Sequence, residues 1–108
     1  GTGTSANDKM ELSLAKNLIK ENENISFSAY KPFTGHLLGA SGLTELALSF
    51  ICTQNNWFPP ILNCNPKENL LPSNFILDPK GKQKEIKYFI NLSYGLGSTI
   101  GVVLGEKL

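Results

Sequence analysis

Charge imbalance, cysteine and long apolar runs are scarce in this sequence, and each shortage removes a class of function. Ten basic residues against nine acidic ones leave a formal charge of +1, too little for the broad field that draws nucleic acid or an anionic membrane. Any anionic partner has to be met by a local patch. The two cysteines, Cys52 and Cys64, have eleven residues between them and form no Cys-x-x-Cys or Cys/His ligand pattern, so neither a zinc site nor a disulfide scaffold is indicated. Both are expected as free thiols. No stretch approaches about 20 uninterrupted apolar residues, and no basic segment leads into an apolar one at the N-terminus. No membrane insertion is expected, and the cytoplasm or an organelle matrix is the default location. Internal repeats and low-complexity tracts are also absent.

What remains is the composition of a folded domain: 41% hydrophobic and 18% charged over 108 residues, enough for one modest core and too short for two. The opening Gly1-Thr2-Gly3-Thr4 is neither an initiating methionine nor a usual expression remnant, which suggests a piece of something longer. Ser5 reads as the N-cap of a helix that runs to about residue 20, with Asp8 and Glu11 favouring its positive end. Met10, Leu14 and Leu18, joined by Leu12, Ala15 and Ile19, form its apolar face. Glu21-Asn22-Glu23-Asn24 ends it, and the alternation in Ile25-Ser26-Phe27-Ser28 reads as a short strand.

The run Lys31-Pro32-Phe33-Thr34-Gly35-His36-Leu37-Leu38-Gly39-Ala40-Ser41-Gly42 carries the most information. It sets a cation and the single histidine five residues apart on a glycine-rich turn. A helix is expected from Leu37 to about Gln54, where Glu45 is the one charge and Leu38, Leu43, Leu46, Ala47, Phe50 and Ile51 cover more than one face. Such a helix belongs in an interior. Gly39 and Gly42 each cost roughly 1 kcal/mol inside a helix relative to alanine, so either another backbone packs closely there or the helix starts late. Pro59-Pro60 forbids helix, and residues 61 to 83, punctuated by Pro66, Pro72, Pro79 and Gly81, read as a long irregular surface excursion. Glu85 to Leu92 and Thr99 to Leu104 read as antiparallel strands joined through Ser93 to Ser98. Their nearly continuous apolar runs predict a sheet covered on both faces.

Several groups could do chemistry, and each has a plainer reading. His36 could serve as a general base or a neutral hydrogen-bond donor, or be an ordinary turn histidine. Lys31 could neutralise an anion or tune His36; its plain alternative is a solvated loop cation. Asp8 and Glu11 share a helix face and could jointly hold a lysine, or simply cap the helix. Glu45, if buried, requires a partner, with a lysine or backbone donors as candidates. The Gly95 and Gly97 turn could bring backbone N–H groups to a ligand but joins two strands, so it is not a dinucleotide fingerprint. Neither cysteine reads as a nucleophile.

Taken together, Gly1-Thr2-Gly3-Thr4 with Asp8 and Glu11, the Lys-x-x-x-Gly-His-x-x-Gly-Ala-x-Gly block, Pro59-Pro60 and the Ser93 to Gly101 turn resemble the C-terminal part of β-ketoacyl-acyl-carrier-protein synthases. These are the condensing enzymes of fatty acid and polyketide synthesis, with a thiolase-like fold. The resemblance implies an α/β architecture over residues 1–108: a layered, mixed β-sheet with one amphipathic and one buried helix, incomplete at its N-terminus. In such enzymes a cysteine accepts the acyl chain, and two histidines with a lysine assist decarboxylation of malonyl-carrier protein and carbon–carbon bond formation. The resemblance assigns His36 to the second histidine and Lys31 to the lysine, with Asp8, Glu11 and Glu45 in support. Thr34, Gly95, Leu96 and Gly97 fall at the substrate gate and pocket.

The first family histidine directly precedes the Gly-Thr-Gly-Thr run and the nucleophilic cysteine lies far upstream, so a C-terminal fragment unable to condense alone is expected. The resemblance implies acyl carrier protein and acyl or malonyl thioesters as partners, a homodimer or synthase heterodimer, and no metal or redox cofactor. Where the family reads Gly-Phe-Gly-Gly-Thr-Asn, this chain has Gly95-Leu96-Gly97-Ser98-Thr99-Ile100. Leu96 offers less bulk than a gating phenylalanine and no ring quadrupole, and Ile100 removes an amide. These departures favour an alternative, a non-catalytic partner subunit similar to chain-length factors; the retained Lys31 and His36 favour an active parent.

Overall fold

In the computed structural model, which describes residues 2–65 and 71–108, three helices and four strands surround a small core. Helix α1 spans Ser5–Glu21. Its N-cap is Thr4 rather than Ser5, and Thr4 makes no side-chain cap because its hydroxyl pairs with that of Thr2 at 2.9 Å. Only Ala15 on this helix is buried, while Leu12, Leu14, Leu18 and Ile19 are half covered and Met10 is exposed. The expected strand at residues 25 to 28 is reduced to one parallel bridge, Phe27 to Phe75, with Phe27 N–H donating to the Asn74 carbonyl at 2.9 Å. The two rings stack with centroids 5.1 Å apart.

Helix α2, Lys31–Thr34, is a single turn with proline in its first turn, where the missing N–H costs nothing. The long apolar helix does not begin at Leu37. Gly35 and Leu38 both have positive φ, at 72° and 51°, which no α-helix accommodates. A 3-10 turn, Leu38–Ala40, follows, and helix α3 runs over Ser41–Gln54. Gly42 accounts for close packing: a Cβ there would lie 3.1 Å from Ser93 Oγ. Gly39 has open space around it, so its role is the late start.

Two antiparallel two-stranded sheets replace the expected mixed sheet. Strand β1 (Trp57–Phe58) pairs with β2 (Lys82–Gln83), and β3 (Tyr88–Tyr94) with β4 (Ile100–Glu106) in a register from Tyr88↔Glu106 to Tyr94↔Ile100. β3 starts at Tyr88 rather than Glu85 because residues 84 to 86 are tied to Asn56 instead: its carbonyl accepts from Lys84 N–H at 3.0 Å and its Oδ1 from Ile86 N–H at 3.2 Å. The described residues of the excursion over 61 to 83 are mostly irregular but do not all lie at the surface. Ile76 is among the most buried residues, and Pro60, just before that excursion, is fully buried. Pro66 lies outside the described residues.

Burial on α3 reverses the sequence expectation. Ser41, Glu45, Ser49, Cys52 and Thr53 are buried, whereas Leu43 is 75% exposed and Ile51 58%. β4 is likewise uncovered, with Ile100, Val102, Val103 and Leu104 all exposed. A sheet covered on both faces is therefore not formed within these residues. Apart from contacts such as the edge-on packing of Phe50 against Phe89 at 5.5 Å, these apolar side chains stay largely uncovered among the described residues.

One turn shows how little slack the core allows. Gly81 has φ of 72°, its N–H donates to the Asp78 carbonyl at 2.8 Å, and an added Cβ would lie 2.3 Å from the Phe58 carbonyl and 2.6 Å from Trp57 Nε1. Gly81→Ala is expected to lower stability by more than about 1 kcal/mol, read as a lower denaturation midpoint at unchanged slope.

Candidate catalytic site

The site is built on the turn between α2 and α3. The Tyr30 carbonyl accepts from Phe33 N–H at 2.8 Å and Thr34 N–H at 3.1 Å, closing α2, and Gly35 N–H donates to the Lys31 carbonyl at 2.9 Å. Thr34 is part of this fastening, its hydroxyl lying 3.3 Å from the Tyr30 carbonyl and 3.0 Å from that of Gly35. At Gly35, φ of 72° and ψ of 178° redirect the chain and present His36.

The orientation of His36 follows from its hydrogen bonds. Its Nδ1 accepts the Leu38 N–H at 3.2 Å and lies 3.0 Å from Ser41 Oγ. An amide N–H can only donate, so Nδ1 is the acceptor and the proton of the neutral ring is assigned to Nε2. Nε2 is thereby left as a donor. Leu38 adopts its φ of 51° to aim that amide, a conformation costing roughly 1 kcal/mol or more for a residue with a Cβ.

Lys31 Nζ lies 2.5 Å from Glu45 Oε1, with the side chains only 18% and 9% exposed. Glu45 thus has the lysine partner that its place in an apolar helix demanded. The Glu45 carbonyl in turn accepts from Ser49 Oγ at 2.8 Å. Tyr30 sits beside this pair, its phenol meeting the Ser49 hydroxyl and the Cys52 thiol, and burial pushes that phenol well above the ordinary tyrosine range.

Asp8, Glu11, Lys31, His36 and Glu45 all line one open cleft of about 1350 Å3 between α1 and the body of the chain. The carboxylate that Lys31 reaches is nevertheless Glu45 on α3. Glu11 accepts from Asn7 Nδ2 at 2.9 Å. Burial, then the charge of Glu11, raises the Tyr94 phenol; burial, then the charge of Asp8, raises the Cys64 thiol, which makes that thiol a poor nucleophile. Cys52 is buried and Cys64 half-buried, both free. Among the described residues, Thr34, Gly95 and Gly97 are not on the cleft wall. Gly95 N–H closes its turn on the Thr99 carbonyl at 2.8 Å, and Gly97 and Ser98 take positive φ of 73° and 63°. The Leu96 side chain lies outside the described residues.

Tyr30, Ser41, Ser49 and Cys52 escaped the sequence reading. A signal existed: Ser41, Glu45, Ser49 and Cys52 recur at helical spacing, on the face opposite the apolar residues that drew attention. Chemically, an imidazole N–H fixed by its other nitrogen, beside an ion-paired ammonium, suits stabilisation of a developing oxyanion.

The sequence has matches among known proteins. The family model described as beta-ketoacyl synthase, C-terminal domain, matches residues 1–65, which contain Lys31, His36 and Glu45. The chain belongs to that family. Among curated relatives, the 3-oxoacyl-[acyl-carrier-protein] synthase 1 of Buchnera aphidicola subsp. Acyrthosiphon pisum is 34% identical over 101 residues, covering 92% of this chain and 24% of the relative. The 3-oxoacyl-[acyl-carrier-protein] synthase 2 of Rhizobium meliloti is 35% identical over 105 residues (92% and 23%), and that of Vibrio harveyi 29% identical over 110 (100% and 26%). The chain therefore spans about a quarter of the length of these relatives. No solved structure matches it. No helix among the described residues is long and apolar enough to cross a membrane.

Two outcomes are expected of this site. Glu45→Leu strands a buried ammonium and should cost about 3 kcal/mol in chemical denaturation, most of it recovered in the Lys31→Met/Glu45→Leu double variant. The raised Tyr30 phenol means that above pH ~10 the unfolded chain binds fewer protons than the folded one, so stability is complete below that pH and falls as pH rises. Tyr30→Phe should flatten this alkaline decline in denaturation curves.

Proposed function

We propose that the protein carrying this chain is a 3-oxoacyl-acyl-carrier-protein synthase, which condenses an acyl thioester with malonyl-carrier protein and releases carbon dioxide. The observation that carries the reading is His36, its Nδ1 engaged by the Leu38 amide and its Nε2 left to donate, beside a Lys31 held by Glu45. In the reaction, the bond between the malonyl carboxylate and its α-carbon breaks, carbon dioxide leaves, and the electron pair passes into a thioester enolate. His36 Nε2–H donates to the enolate oxygen as charge builds there. The α-carbon then attacks the acyl thioester carbonyl, forming the carbon–carbon bond and expelling the thiolate that held the acyl group. The thioesters supply the activation, so the reading calls for no metal or redox cofactor.

Lys31 contributes a fixed positive charge to the malonyl end of the cleft, and Glu45 keeps that charge from following the substrate. Asp8 and Glu11, across the cleft on α1, complete the polar wall in support of the lysine. Neither Cys52 nor Cys64 fits the acyl-bearing nucleophile, the first being buried and the second raised by burial and by the charge of Asp8, so condensation draws on groups beyond these 108 residues. In this reading residues 1–108 supply one thiolase-like domain of the enzyme, with Leu96 near the substrate gate. Acyl carrier protein is the delivering partner, a homodimer or synthase heterodimer the assembly, and the cytoplasm or an organelle matrix the location. The intact His36, Lys31 and Glu45 arrangement supports an active enzyme over a non-catalytic partner subunit.

His36→Ala in the full-length gene product is expected to slow malonyl decarboxylation about 100-fold, the usual cost of one oxyanion donor. A variant as fast as wild type in a decarboxylation assay overturns the assignment.

A further inference from the structure

Two donors meet at one nitrogen of His36. Its Nδ1 takes the Leu38 N–H at 3.2 Å and lies 3.0 Å from Ser41 Oγ. The amide can only donate, so Nδ1 carries no proton, and the Ser41 hydroxyl that faces it has to donate as well. The Ser41 N–H in turn donates to the Leu38 carbonyl. Three residues thus close a ring of hydrogen bonds around a single imine nitrogen, where the 3-10 turn runs into α3.

The ordinary role of a serine at a helix start is capping, and Ser41 does not perform it. The N-cap of α3 is Ala40, and its side chain makes no cap bond. Ser41 is only 7% exposed, so its hydroxyl needs a partner inside the protein, and Nδ1 supplies one. His36 itself is exposed and lines the cleft. A histidine that works through a lone pair, as a base or a metal ligand, commonly gives its other N–H to a carboxylate or carbonyl. His36 has the reverse arrangement. Donors on Nδ1 polarise the ring and strengthen Nε2–H as a donor, and they leave the neutral ring no free lone pair for a substrate proton.

We propose that Ser41 is a positioning residue for His36: its hydroxyl, together with the Leu38 amide, fixes the Nε2–H tautomer and commits the ring to donating into the cleft rather than acting as a base. The proposal deepens the condensing-enzyme reading and rests on it for the catalytic consequence. The tautomer itself stands apart from that reading. Ser41 meets the ring at Nδ1 and leaves Nε2 to the substrate, so it acts through His36 alone.

The test compares Ser41→Ala and Ser41→Thr with wild type in the full-length gene product by two readouts. The first is the nitrogen-15 spectrum of the neutral His36 ring, assigned by the signals lost in His36→Gln, which needs no activity. The wild type should show a protonated Nε2 and a hydrogen-bonded imine at Nδ1. In Ser41→Ala the ratio of this tautomer to the other should fall about fivefold, the equivalent of one ordinary hydrogen bond, and Ser41→Thr, which keeps the hydroxyl, should retain it. Alanine suits a helix and no cap is lost, so the fold should survive the change. The second readout is malonyl decarboxylation, where kcat should fall about fivefold in Ser41→Ala with KM little changed. A wild-type ring protonated at Nδ1, or a tautomer ratio unmoved by Ser41→Ala, overturns the proposal, as does an unmoved kcat in an active enzyme. If the wild-type protein decarboxylates nothing, the condensing-enzyme reading falls; a shifted tautomer ratio then still supports the role of Ser41 and an unshifted one still overturns it.

Discussion

The pair between Lys31 and Glu45 is the constraint around which the rest of the site is arranged. An ammonium and a carboxylate taken out of water lose several kcal/mol of hydration each, and only close mutual contact with further hydrogen bonds repays it. That requirement sets where α3 must lie against the α2 turn. Once Glu45 is committed to Lys31, the turn before it brings Ser41 to His36, and the turn after it brings Ser49 and Cys52 to Tyr30. A helix with an apolar surface consequently turns its polar stripe inward. The outward apolar face, with Leu43 and Ile51, is the counterpart of that choice.

Backbone geometry does the complementary work. Gly35 and Leu38, both at positive φ, break the chain between a one-turn helix and a fourteen-residue one. The break leaves the Leu38 amide free of any helix, and it goes to His36 Nδ1. A helix continuous from α2 into α3 would have spent that amide on the Thr34 carbonyl and withheld it from the ring. Strain at one exposed leucine thus selects a tautomer at the histidine two residues before it.

Much of this was legible in advance, and unevenly. The hairpin of β3 and β4 followed from a glycine turn between β-rich runs, since such a short link admits only antiparallel neighbours. Helix α1 and the absence of helix after Pro59-Pro60 were equally plain. The strand at residues 25 to 28 shrank to a bridge at Phe27, and the start of β3 moved to Tyr88, because partners decided both: Asn74 and Phe75 in one case, Asn56 in the other. Lys31 and His36 stood out by residue type and spacing. Glu45 stood out as a charge in need of a partner. Tyr30 and Ser49 did not, since a tyrosine and a serine carry no such demand until burial imposes one.

The sequence alone determined the composition of the site: a cation, an imidazole and a helix carboxylate on a glycine-rich turn, in a chain whose residues 1–65 match the C-terminal domain of β-ketoacyl synthases. Residue types and local spacing suffice for that, because turns, caps and helical periodicity act over a few residues. Only the tertiary structure decided which carboxylate holds Lys31, Glu45 fourteen residues ahead, and which face of α3 turns inward. Those outcomes depend on competition among distant groups for burial. Pairing of the ammonium with a carboxylate fourteen residues away offsets the hydration both lose on burial, and no local pattern records that contact.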